Sequence, residues 1–115
     1  MKFIPVLILT LVLLSASQLS AQTKQQLAGK QKNYIIATKY INKGNYHLKK
    51  KKYLWALQAY SKSLKQYPLA AAYTNMAIVY RKFGDTKKML KCLKSAGHLG
   101  DGKAKRIWEL HKRGF

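Results

Sequence analysis

The chain has 115 residues, 23 Lys and Arg against 3 Asp and Glu, and a formal net charge of +20. That length holds at most one ordinary domain, and 48% apolar residues are too many for a disordered basic tail and too few for a multi-span membrane protein. A single Cys rules out a disulfide framework within the chain, and three scattered carboxylates with three His leave little material for acid–base chemistry.

The first element is an address. Met1-Lys2 is a basic start, Phe3 to Leu14 is almost entirely apolar, and Ser15 to Ala21 is small and polar. That order is the n-region, h-region and cleavage region of a secretory signal. The apolar run falls short of the ~20 residues a spanning helix needs. The expectation is a signal peptide over residues 1–21, cut after Ala21, with a cut after Ser17 as the alternative. The protein is then exported, periplasmic or secreted. Lys24, Lys30 and Lys32 oppose this, because basic flanks prefer the cytoplasmic side. If uncut, residues 3–21 become an anchor.

Residues 22–33 are rich in Gln and Lys and read as a flexible or helical leader. From Tyr34 onward, Tyr and small apolar residues recur at helical spacing without β-like alternation. Pro68 divides two such stretches. The pattern predicts helices at about 30–49, 52–66, 69–82, 86–98 and 102–113, with Asp85 capping the fourth. Gly100-Asp101-Gly102 repeats the turn chemistry of Gly84-Asp85. The last segment carries Ala104, Ile107, Trp108 and His111 on one face, and Gly114 suits the residue after its end.

The chain also matches itself at an offset of 33 residues: Ala37 meets Ala70, Asn42 meets Asn75, Lys49 meets Lys82 and Leu57 meets Leu90. Tyr40 falls on Tyr73, Gly44 on Ala77 and His47 on Tyr80. With Ala56, Tyr60, Ser63 and Pro68 following in the first unit, and Gly84, Met89, Leu93 and Ala96 in the second, the pattern resembles the tetratricopeptide repeats. Lys43, Lys51 and Met89 stand where that family has Leu, Gly and Ala. The resemblance implies an all-α, short α-solenoid of two helix-turn-helix units, 34–68 and 69–100, closed by a capping helix at 101–115.

By the same resemblance, the first helix of each unit lines a groove for a partner protein or peptide. The groove residues expected are Asn42, Asn45, Lys49, Thr74, Asn75, Ile78 and Lys82. Asn can hydrogen-bond a peptide backbone and Lys can meet a carboxylate. Some members of the family clamp a C-terminal carboxylate; Ile41 and Glu109 stand where that clamp has cations, which argues against it here. The basic patch Lys49, Lys50, Lys51 and Lys52 and the shortage of acids favour an acidic partner. The alternative is a polyanion-binding protein, for nucleic acid, acidic polysaccharide or an anionic membrane surface. Eight Tyr interleaved with Lys could stack nucleic acid bases, but Tyr40, Tyr60, Tyr73 and Tyr80 sit in the register of packing aromatics. Self-association through the array end is a third reading. Cys92 reads as a buried, inert thiol. No metal, cofactor or catalytic set is expected.

Overall fold

The computed structural model describes the backbone of residues 4–114 and the side chains of residues 17–114. Met1, Lys2 and Phe3, the start of the expected signal, lie outside the described residues. The described residues form five helices and no strand: α1 (Ile4–Lys49), α2 (Tyr53–Gln66), α3 (Ala70–Lys82), α4 (Thr86–His98) and α5 (Gly102–Lys112). The fold is an all-α, short solenoid-like array. None of the described helices is long and apolar enough to cross a membrane.

The chain divides into two compact units, Met1–Lys32 and Asn33–Phe115. In the first, the backbone is helical from Ile4, so the helix expected from about residue 30 starts much earlier. Every described side chain of this unit is exposed. Over residues 17–32 the helix rests on local bonding rather than burial; Thr23 Oγ1, for instance, donates to the Leu19 carbonyl at 2.8 Å. No apolar period in residues 22–33 advertised this.

The second unit is built from helix pairs. Ala37, Ile41, Gly44 and Leu48 recur every three or four residues and form the packing face of α1. Opposite them, α2 turns in Ala56, Tyr60 and Ser63. The contact is close because the facing residues are small: the buried Ser63 hydroxyl donates to the Ala37 carbonyl at 2.8 Å. That bond also satisfies a hydroxyl that would be costly to bury alone. Ala72 and Val79 of α3 complete this core, and Met76 is shared with a second one. The second core joins Ala77 of α3, Cys92, Leu93 and Ala96 of α4, and Ala104 of α5.

Three helix ends use the same closure. At the end of α1, Lys51 N–H donates to the Leu48 carbonyl and Lys52 N–H to the His47 carbonyl, both at 2.9 Å. Gly84 and Asp85 make the equivalent bonds to Arg81 and Tyr80, and Gly100 and Asp101 to Gly97 and Ala96. This pair of bonds is the Schellman closure, whose left-handed residue is usually Gly. Between α2 and α3 the stop is different: Tyr67 is extended, as a residue before Pro must be. Asp85 and Asp101 then cap α4 and α5, accepting from the N–H of Lys88 and Ala104.

Candidate partner-binding face

Asn45 lies on α1 one position past Gly44, on the flank of the packing face. Asn75 lies on α3, next to the shared Met76 and at the repeat position of Asn42. The helix pairing brings them together: Asn75 Nδ2 donates to Asn45 Oδ1 at 2.8 Å. The same oxygen accepts the Tyr60 hydroxyl at 2.7 Å. Tyr60 is fully buried, so this oxygen anchors the pair to the core. Burial pushes the Tyr60 phenol up to about 12, with hydrogen bonding to the Asn75 side chain countering it in part. One amide group thus holds two donors. The Asn45 Nδ2 and the Asn75 Oδ1 take no bond among the described residues. One amide donor and one amide acceptor are the groups that pair with the C=O and N–H of a peptide.

Thr74, also of the expected groove set, is tied to a neighbouring helix. Its hydroxyl is 2.8 Å from Asp101 Oδ2 and 3.1 Å from the Ala70 carbonyl, so it ties α3 to the start of α5. With the Ala104 N–H on its other oxygen and the Thr74 hydroxyl on this one, the Asp101 carboxyl is held below its usual range. Thr74 and Ile78, one helical turn apart, both border a cavity of about 410 Å³ between α3, α4 and α5. Ile78, Met89, Leu93 and Ile107 give it apolar walls, and Arg81 and Lys103 stand among them. Arg81, Met89, Leu93, Lys103 and Ile107 were absent from the expected set. The spacing 74, 78, 81 on α3 was the available signal for Arg81.

Asn42, Lys49 and Lys82 are exposed, Lys49 and Lys82 each as the last residue of its helix. Cations there oppose the negative end of the helix dipole. Lys50, Lys51 and Lys52 are exposed as well. The tyrosines do not form an open stacking row. Tyr60 is buried, Tyr40, Tyr53, Tyr67, Tyr73 and Tyr80 are half-buried, and Tyr34 and Tyr46 are exposed. Ile41, at the first clamp position, is in the core.

Among the described residues, no three His, Cys, Asp or Glu side chains come together as a metal site. Cys92 is buried with its thiol free, and burial pushes its pKa up. A comparison with protein-family models and one with curated proteins both found no match for this chain.

Proposed function

We propose that the chain is a tetratricopeptide-like interaction module that docks an extended, acidic segment of another protein. The observation that carries this is the contact between Asn45 and Asn75, 30 residues apart on successive first helices. It leaves one amide donor and one amide acceptor without a bond among the described residues, with the Ile78 cavity as a second feature on α3. Arg81, Lys82 and Lys103 supply positive charge for steering and for meeting carboxylates. The role is that of an adaptor or assembly factor, without a catalytic step. The apolar run after Met1-Lys2 supports the further reading that the module works outside the cytoplasm once residues 1–21 are removed.

Short acidic peptides, screened for binding and then measured by calorimetry, test the proposal. Asn75→Ala and Lys82→Glu each weaken the best peptide about tenfold, about 1.4 kcal/mol, while circular dichroism shows that the protein remains folded. Unchanged affinity in both variants overturns it.

A further inference from the structure

The turn between α1 and α2 carries a feature that the groove does not use. Leu54 and Trp55, in the first turn of α2, are 72% and 62% exposed. Exposed side chains of this size need a reason when they stand together. Tyr46 and Phe83 add exposed aromatic surface, at 55% and 47%. Phe83 joins the patch through Tyr53, whose ring it meets edge-to-face at 5.6 Å. Lys51, Lys52, Leu54, Trp55 and Phe83 border one open, shallow hollow.

The same turn is the most basic stretch of the chain, Lys49 to Lys52, and no carboxylate occurs between Tyr46 and Phe83. The Lys50 amine sits 4.6 Å from the centre of the Tyr46 ring. Lys51 is held at φ 61 by the turn's hydrogen bonds, so the lysines and the aromatics share a fixed frame. The Trp55 ring is braced against His47, with centroids 5.6 Å apart.

We infer that this turn is a membrane-contact site, which seats Trp55 and Leu54 among the headgroups and upper acyl chains of an anionic bilayer while Lys50, Lys51 and Lys52 meet lipid phosphates. Trp and Tyr favour that depth, and lysines flanking them add electrostatic attraction. A second copy of the chain is a poor occupant, since it brings the same lysines and a charge of +20. An acidic protein would satisfy the lysines. The apolar groups, however, border a shallow hollow and no enclosed pocket, which suits a fluid, sequence-indifferent surface better than a shaped one. This site shares no residue with the pair of Asn45 and Asn75 or the Ile78 cavity, so it stands or falls independently of the peptide reading.

The test uses the full chain with vesicles of phosphatidylserine mixed with phosphatidylcholine, and vesicles of phosphatidylcholine alone. Trp55 fluorescence is read in Trp108→Phe, with Trp55→Phe as the converse, so the signal comes from the turn and not from residues 3–14. The expected result is a blue shift of Trp55 with anionic vesicles and none with neutral ones. At about fivefold per lysine, Lys50→Gln/Lys51→Gln/Lys52→Gln lowers partitioning about a hundredfold. Leu54→Ser/Trp55→Ser lowers it at least about tenfold. Both sets are exposed, and circular dichroism confirms that the helices persist. An unshifted Trp55 overturns the inference. So does partitioning that the turn variants leave unchanged. A Trp55 shift with polyglutamate but not with vesicles also overturns it, and makes the turn a docking surface for acidic polypeptide.

Discussion

Lys51 occupies in the first helix pair the position that Gly84 occupies in the second. Both are left-handed, at φ 61 and φ 75, and both close a helix with the same two backbone bonds. The first unit therefore makes the second unit's turn with a residue whose Cβ resists it. A non-Gly residue in this region costs about 1–2 kcal/mol.

Lys51→Gly is expected to raise stability by about 1 kcal/mol in denaturant unfolding, with an unchanged slope against denaturant. Lys51→Ala separates backbone from charge. It removes the same positive charge but keeps the Cβ, and is expected to gain much less. Equal gains in the two variants would assign the effect to lysine repulsion.

Gly44 and Tyr60 share one space in the same way that Ala37 and Ser63 do, two helical turns along α1 from Ala37 and one turn along α2 from Ser63. A Cβ on Gly44 would lie 2.7 Å from one carbon of the Tyr60 ring and 2.9 Å from another. The ring is fully buried and tethered through its hydroxyl, so it cannot swing aside. Gly44→Ala is expected to destabilise by about 1–3 kcal/mol, although Ala is the better helix former. Gly29 is the control: a Cβ there meets nothing within 4 Å. Gly29→Ala should be neutral or slightly stabilising in helix content by circular dichroism.

These contacts mark where sequence legibility began and ended. Helices α2 to α5 were readable because each has its own stop or start: Pro68, Gly84-Asp85 and Gly100-Asp101. The 33-residue register put Asn45 and Asn75 on corresponding helices, which is why both were in the expected groove set. The bond between Thr74 and Asp101 was not legible, because nothing in the helix of Thr74 reveals that Asp101 folds back onto it. Arg81 and Lys103, far apart in sequence, border one cavity because α5 packs back against α3 and α4. The helix through residues 22–33 carries no buried face, so it left no period to find. Leu54 and Trp55 carry no sequence signal of exposure, and only the packing of Ala56 and Tyr60 shows that they face away.

Asp101 gives the fold an acid-sensitive joint between α3 and α5. Its carboxyl is depressed by the Ala104 N–H first and by the Thr74 hydroxyl next. A depressed folded-state pKa adds stability above the unfolded value, near 3.9, and that stability is lost as pH falls through the folded value. The expected acid limb therefore begins below about pH 4. Asp101→Asn still caps the helix and is expected to flatten that limb, with stability at pH 7 nearly kept. Asp101→Ala removes the cap and the link to Thr74, and is expected to cost about 1–2 kcal/mol at neutral pH. An acid limb as steep in Asp101→Asn as in the parent would sink this assignment.

Tyr60 sets the opposite limit. Its phenol is raised from an ordinary value of 10.0 to about 12, by burial foremost. A raised folded-state value means the unfolded chain releases this proton first. The stability it contributes is complete below pH 10, and is lost between pH 10 and about 12. Spectrophotometric titration of the phenolates should show one of the eight tyrosines ionising late, near the pH at which the helices melt. Tyr60→Phe removes that late step and leaves Asn45 Oδ1 with Asn75 as its remaining side-chain donor. The variant is then expected to lose about 1 kcal/mol at pH 7, the usual worth of one such bond, yet to fall less steeply through the alkaline range. If the late phenolate persists in Tyr60→Phe, the raised group is another tyrosine, and the Asn pair is not coupled to the core through this hydroxyl.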